Sequence, residues 1–385
     1  MAIYKIKGKV QHYAWGGTNY IPSLLHIENS ANKNFAEYWL GTHTLAPAVT
    51  ESTNQPIDQL IQPHKLSYLL KILDVKDMLS IQVHPSKKSA EEMFAEENKA
   101  GIPLNAPNRN YKDDNHKPEL VVALGEFWLL HGFKSKDDLN KTLQFVPELN
   151  FLIETFKNRG YQDIYREVML MPQEEVNIKL QPLIDRIIPL YERNQLKKNT
   201  ADFWAARAAK TYNTPGRIDR GIFSIYFFNL VELKKGQGVF QDAGVPHAYL
   251  EGQNVEIMSN SDNVLRGGLT VKHIDVNELM KHIKFETVDT VILEPRERNG
   301  EEMVYDTPVD DFKLSCFRVK KGEKSGFSTD STDIILQIEG KITLQESDAE
   351  INLSSGESAL ILPGTDIQMR SEQDSLVFRA TSGKK

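Results

Sequence analysis

The sequence predicts a mainly β protein carrying an inserted helical domain, and three observations predict it. Short runs rich in Val, Ile, Phe and Tyr, broken by glycine turns, occupy residues 1–134 and 217–300, as expected for closely spaced antiparallel strands of a barrel or jelly roll. Between them, residues 135–216 change to helical spacing. After a charged linker, Glu294 to Glu302, strand character resumes from about Tyr305 to Thr381, which marks 301–385 as a further β domain.

The elements follow in order. Tyr13-Ala14-Trp15-Gly16-Gly17 is an aromatic run leading into a flexible turn, either a strand end or the lip of a pocket with Trp15 as a wall. Glu37 to His43 reads as strand, then loop. Lys71 interrupts the apolar run Leu69 to Val75; such a lysine snorkels to the surface or stands inward as a cation at a site. In Ser80-Ile81-Gln82-Val83-His84-Pro85 the alternation of a strand sends Gln82 and His84 to one face and Ile81 and Val83 to the other, and Pro85 ends the ladder. An amide oxygen and an imidazole on one face can begin a metal site. An isolated pair of this kind is more often an amphipathic strand with a core histidine.

Ser89 with Glu92 reads as a capping box for a helix stopped by Gly101 and Pro103. His116 and Glu119 lie beside the strand-like run Leu120 to Leu124. Ser135 with Asp138 opens the helical region, and Pro147 stops its first helix. Val176, Leu180, Leu183, Ile184, Ile187 and Leu190 then recur at helical spacing, interrupted by Pro182 and Pro189. Thr200-Ala201-Asp202 opens an Ala-rich helix ending near Thr214-Pro215-Gly216. This region holds no obvious chemistry. Gly221 to Leu233 reads as strand, and Asp275 with Glu278 caps a short helix ending near Ile283. Gly356 and Gly364 repeat the spacing of Gly236 and Gly244, with Ile367 where the first copy has His247; turn geometry is expected to be kept and the ligand lost.

Composition narrows the function. Net charge is −7, so nothing global favours nucleic acid or an anionic membrane, and an anionic substrate needs local Lys and Arg. The one cysteine, Cys316, excludes an internal disulfide and a thiolate cluster. The opening residues lack an apolar signal core and no run reaches the length of a membrane span, so a cytoplasmic protein is expected. Gly236-x-Gly238 lies between strands rather than before a helix and reads as a turn, not a dinucleotide site.

A catalytic zinc commonly takes three protein ligands and keeps an open position. Spacing pairs Gln82 with His84, but composition cannot choose the rest among ten histidines and many carboxylates. Several motifs in order do choose. Leu79 to Pro85, Asn115-His-Lys-Pro-Glu119, Pro246-His-Ala-Tyr249 and Ser261 to Lys272 resemble type I mannose-6-phosphate isomerases, as do Tyr13 to Gly16 and the Lys71 segment. The resemblance spans nearly the whole chain. It implies a cupin-type jelly-roll core from 1–134 and 217–300, the helical insert 135–216 and a second jelly-roll-like barrel at 301–385. It implies one zinc per chain on Gln82, His84, Glu119 and His247. It departs from the family at Glu251 to Asn260 and at Val271, where a proline is usual; neither removes a ligand or a charge.

The resemblance further implies interconversion of mannose 6-phosphate and fructose 6-phosphate, with a proton moved between C1 and C2 through an enediol. Zinc would polarise the oxygens and a cation would hold the developing charge. Arg266, Lys117, Asp262 and Lys272 are the implied catalytic residues; Trp15, Lys71, Ser80, Tyr249 and Glu256 are the implied substrate contacts. An arginine fork suits phosphate, whereas a lysine of lowered pKa can relay protons. The general base stays open among Asp262, Lys117, His43 and a zinc-bound water. The partner is a small sugar phosphate, with neither nucleic acid nor membrane, and a monomer is expected with oligomers left open. Two alternatives stand: a non-catalytic sugar-binding cupin, disfavoured by Arg266, Lys272, Lys117 and Asp262, and an iron-dependent cupin oxygenase, disfavoured by Gln82.

Overall fold

The computed structural model describes residues 2–62, 65–298 and 301–383; residues 299 and 300 of the expected linker lie outside them. Strands dominate, in three sheets, and the two longest helices, Ile153–Leu170 and Gln173–Glu192, lie with two more between Lys136 and Tyr212. The mainly β architecture with helices is as the sequence predicts.

The strand His247–Ser259 organises the site. Its second half pairs antiparallel with Tyr68–Val75 on one side and with Glu119–Ala123 on the other. Its first half pairs with Gln82–Val83 and Phe127–Phe133, and the register shifts between Tyr249 and Glu251. A bulge of this kind bends a strand, so one strand serves both walls. Between the walls lies an apolar filling that includes Leu73, Val121, Leu129, Val239 and Tyr249, with Trp15 and Leu79 packed against it.

The outer faces are covered in two ways. Ile81 and Val83, on the face opposite Gln82 and His84 as alternation predicts, are fully buried in one cluster with Trp204, Tyr165 and Leu180 of the helices. Tyr38, Leu70, Leu120 and Ile257 pack against Leu314, Leu336, Leu360 and Phe378 of the later strands. The strand Ile3–Lys7 pairs with Ser358–Ile361, so the beginning of the chain sits in the sheet of its end. The expected glycine repeat is visible in the backbone: Gly236, Gly244, Gly356 and Gly364 all have positive φ, at 87°, 81°, 82° and 74°. Each pair brackets a four-residue strand, Gly238–Gln241 or Ser358–Ile361. Ile367, where the first copy has His247, is buried in an apolar cluster.

Three local expectations are corrected. The helix Lys87–Lys99 is capped by Ser86, whose hydroxyl accepts from the Ser89 amide at 3.2 Å, so the cap lies three residues before the expected Ser89. Ser86 follows Pro85 directly and satisfies the orphan amide first. Pro182 and Pro189 do not interrupt Gln173–Glu192, which runs through both. The carbonyl that Pro182 leaves without a donor belongs to Ile178, which is exposed and open to water. Gly221 to Leu233 is helix at Gly221–Phe227 before the strand Phe228–Leu233. All seven helical residues are buried, and an apolar run buried all round has no periodicity to betray its type. The other caps are as expected: Ser135, Thr200 and Asp275 each accept the amide three residues on.

One buried ion pair anchors the later strands. Asp333, fully buried, accepts from Arg379 Nε and Nη2 at 2.8 Å each, and Arg379 also reaches Glu302 at 3.3 Å. Asp333→Ala strands a buried guanidinium on its weaker partner. The expected loss is about 3 kcal/mol, read from urea unfolding, at the low end for breaking such pairs because Glu302 remains.

Candidate metal centre

Glu119 begins its strand, His84 immediately follows Gln82–Val83, and His247 begins the long strand. Register brings His247 opposite Gln82. One donor atom each from His84, Glu119 and His247 lies within 4.8 Å of the others, and all three side chains are buried. Both imidazoles point the same edge at the carboxylate: His84 Nε2 is 3.4 Å from Glu119 Oε1 and His247 Nε2 is 3.4 Å from Oε2.

Hydrogen bonds on the far edges fix the chemistry. His84 Nδ1 donates to the Asn263 carbonyl at 2.8 Å, and His247 Nδ1 to the Val245 carbonyl at 3.0 Å. A neutral imidazole that donates at Nδ1 keeps a bare lone pair at Nε2. Burial pushes the His84 pKa down to about 4, so this ring is neutral, and its Nε2 has no hydrogen-bond partner. Burial alone would raise the Glu119 pKa, but the Lys117 ammonium beside it is the foremost influence that outweighs burial and holds it well below the usual range. His84 therefore turns a bare lone pair towards an ionised carboxylate, and His247 Nε2 stands at the carboxylate's other oxygen, both across gaps too long for charge-assisted hydrogen bonds. A cation between them would engage all three donor atoms at once. The residues present fit a zinc site of the His–His–carboxylate kind.

Asn263 clamps this arrangement. Its carbonyl orients His84, its side-chain oxygen accepts the Lys112 amide at 2.7 Å, and its amide nitrogen donates to the Asp113 and Asn115 carbonyls at 2.8 Å each. One buried side chain thus ties His84 to the segment leading into Lys117 and Glu119. The sequence analysis missed it, since nothing in its neighbours marks it off from any other loop asparagine. Asn263→Ala is expected to weaken zinc binding about 10–100-fold in chelator competition, the usual effect of removing a group that orients a ligand.

The metal triad opens into a cavity of about 200 Å³ whose lining includes Gln82, Lys71, Lys117, Tyr249, Glu256, Asp262 and Arg266. A larger cavity of about 560 Å³ adjoins it, lined by Trp15, Ser80, Thr270 and Lys272, and shares Gln82 and Arg266. Twelve of the thirteen expected site residues thus line one pair of adjoining cavities, and the thirteenth, His84, is fully buried behind them against Glu119.

It also separates their partners. Lys117 Nζ contacts Glu119 Oε1 at 2.8 Å. Lys71 Nζ lies 3.1 Å from Glu256 and 3.5 Å from Glu37. Burial would lower the Lys71 pKa, but Glu37 and Glu256 outweigh it and raise it, so this is an inward cation rather than a snorkelling one. The Tyr249 hydroxyl donates to Glu256 at 3.0 Å, with Glu119 at 3.3 Å. Trp39 Nε1 donates to Glu37. Arg266 and Lys272, in contrast, have no carboxylate partner among the described residues, and burial lowers the pKa of both. Unpaired cations in a cleft suit an anionic ligand. Asp262 meets His43 Nε2 at 3.2 Å, while the Leu45 amide donates to His43 Nδ1 at 3.3 Å. Burial raises the Asp262 pKa, but His43, then Lys117 and Lys71, outweigh it and keep it low.

Comparison with known proteins agrees with this chemistry. Residues 3–136 match the family described as phosphomannose isomerase type I, catalytic domain. The mannose-6-phosphate isomerase of Escherichia coli is 34% identical over 93% of this chain and 94% of its own length. The human mannose-6-phosphate isomerase is 29% identical over 98% of each. A crystal structure of mannose 6-phosphate isomerase from Salmonella typhimurium, bound to fructose 6-phosphate and zinc, superposes with a TM-score of 0.89 at 30% identity and covers 100% of both chains.

Proposed function

Because the chain belongs to the type I mannose-6-phosphate isomerase family, we propose that the residues around His84, Glu119 and His247 carry out that family's reaction, each in a definite role. The enzyme is a zinc-dependent aldose–ketose isomerase that interconverts mannose 6-phosphate and fructose 6-phosphate. The observation that carries the reading is the buried cluster of His84, Glu119 and His247, with the His84 Nε2 lone pair bare, beside a cleft whose Arg266 and Lys272 have no carboxylate partner among the described residues.

When bound, the metal supplies a Lewis acid for the oxygens at C1 and C2. His84, His247, Glu119 and the Gln82 amide oxygen hold it; the glutamine adds no charge, so the centre stays positive. Lys272 and the Ser80 hydroxyl take the phosphate in the larger cavity, against the wall made by Trp15. Arg266 lines both cavities and stabilises negative charge on the enediol oxygens. Asp262 moves the proton between C1 and C2. Among the open candidates, Lys117 is tied to Glu119, and His43 uses Nδ1 as an acceptor and Nε2 towards Asp262, which leaves it no free lone pair. Asp262 is ionised and faces the cavity, with His43 orienting it. Lys71, Glu256 and Tyr249, in contact with one another, line the same cavity and touch the sugar hydroxyls.

The same reading divides the chain into a cupin-type catalytic core of 1–134 and 217–300, the helical insert 135–216 and a second barrel at 301–385. The matching glycine φ values and the four-stranded sheet facing the later strands support the second barrel, which the strand Ile3–Lys7 joins. The enzyme is read as a cytoplasmic monomer acting on a small sugar phosphate; no helix among the described residues is long and apolar enough to cross a membrane.

The test is metal removal. Chelator-treated protein is expected to lose isomerase activity while keeping its far-ultraviolet circular dichroism, and one equivalent of zinc restores turnover. Metal-replete protein that binds mannose 6-phosphate without converting it would establish a binding protein instead.

A further inference from the structure

Asp219 lies between the helices Ala201–Tyr212 and Gly221–Phe227, and its carboxylate is buried with no cation within ion-pair distance among the described residues. Backbone amides compensate it. Oδ1 accepts from Gly221 and from Leu269 at 2.8 Å each, and Oδ2 accepts from Thr270 at 3.2 Å. Only the first of these is local, to the opening residue of the helix that follows. The other two belong to the loop that lines the larger cavity.

That loop is under backbone strain. Leu269 has a φ of 54°, in the left-handed region, although it is a buried non-glycine residue. Such a conformation persists only where its surroundings hold it, and it clusters at ligand clamps. Two glycines let the clasp close: a Cβ on Gly268, whose φ is 127°, would lie 2.4 Å from Gly221 Cα, and one on Gly221 would lie 2.6 Å from the Leu269 nitrogen. On its other side the loop is pinned to Ile81, with Gly267 N–H donating at 2.9 Å and the Gly268 carbonyl accepting at 3.1 Å. Beyond the strained residue, Thr270 Oγ1 accepts the Lys272 amide at 3.0 Å. The carboxylate therefore fixes the turn from which Thr270 and Lys272 project.

We propose that Asp219 is a positioning residue for phosphate recognition: its clasp on Leu269 and Thr270 holds Lys272 at the larger cavity. The inference rests on the reading of Lys272 as the phosphate contact. It deepens that reading by giving the connector after the helical insert a part in substrate binding. The zinc centre is not involved.

The test uses the zinc-loaded enzyme and its Asp219→Asn variant, which keeps the shape and removes the charge and one acceptor. KM for mannose 6-phosphate is expected to rise about tenfold, since displacements near 1 Å cost up to about 100-fold. The inhibition constant of inorganic phosphate rises in parallel, while zinc content stays at one equivalent and kcat changes less than about twofold. In a Lys272→Ala background the same substitution adds less than about twofold, because the contact it positions is gone. An unchanged KM in Asp219→Asn, or an equal rise with and without Lys272, overturns the inference. A Lys272→Ala enzyme with unchanged KM overturns the phosphate assignment instead. Should Asp219→Asn fail to fold, hydrogen exchange on the wild-type enzyme decides: protected Leu269 and Thr270 amides support the clasp, and exchange at the open-chain rate overturns it.

Discussion

Glu119→Gln is expected to abolish stoichiometric zinc binding and to lower turnover about a thousandfold or more. Glu119 supplies the negative charge between the two imidazoles, and a neutral amide removes it. The replacement also brings an NH2 group that can donate to a bare Nε2, which stabilises the metal-free site in competition with the ion. Losing a Lewis acid worth several kcal/mol, at about 1.4 kcal/mol per tenfold in rate, gives a change of this order. Metal analysis after dialysis, together with the isomerase assay, checks it. A variant that kept one equivalent of zinc and ordinary turnover would remove Glu119 from the ligand set. Lys117 would then be left beside an uncharged partner, so its loss of contact at Glu119 Oε1 is part of the same expected phenotype.

Arg266→Ala is expected to lower kcat/KM about 100- to 1000-fold while zinc stays bound. Its strand pairs with Gln82–Val83, which sets Arg266 opposite Gln82 in register at the junction of the two cavities. Its guanidinium answers to no carboxylate among the described residues, so its charge is available to the reacting oxygens in a partly desolvated cleft. Removing one such preorganised donor typically costs about 3–4 kcal/mol in the transition state. Zinc content separates this role from a structural one. If metal were lost together with activity, Arg266 would be part of the scaffold of the centre rather than of the chemistry.

How much was legible in the sequence differed from element to element. Gln82 and His84 were legible because a strand alternates strictly, and Ile81 with Val83 on the opposite face completed the pattern. The glycine repeat was legible because positive φ selects glycine. The helix Gly221–Phe227 was not, because a segment buried on every side carries no period. Nor were the prolines of Gln173–Glu192, since their cost depends on whether water reaches the freed carbonyl.

Within the site, Glu119 and His247 could be named only through their motifs. Asn263 and Asp219 were not singled out at all. Both act through hydrogen bonds to segments far along the chain, and a side chain's partners across such distances leave no local signature. The four cations, Lys71, Lys117, Arg266 and Lys272, looked equivalent as residues. Their division into two paired with buried carboxylates and two unpaired in the cleft was visible only once the neighbours were known.

By itself, then, the order of residues determined the β-rich class, the helices between Lys136 and Tyr212, the face on which Gln82 and His84 stand and, through its motifs, the family. Tertiary structure alone decided which imidazole edge is bare, which charges cancel and which loop is held in strain. Those properties depend on distances of a few ångströms between segments that the chain brings together only by folding.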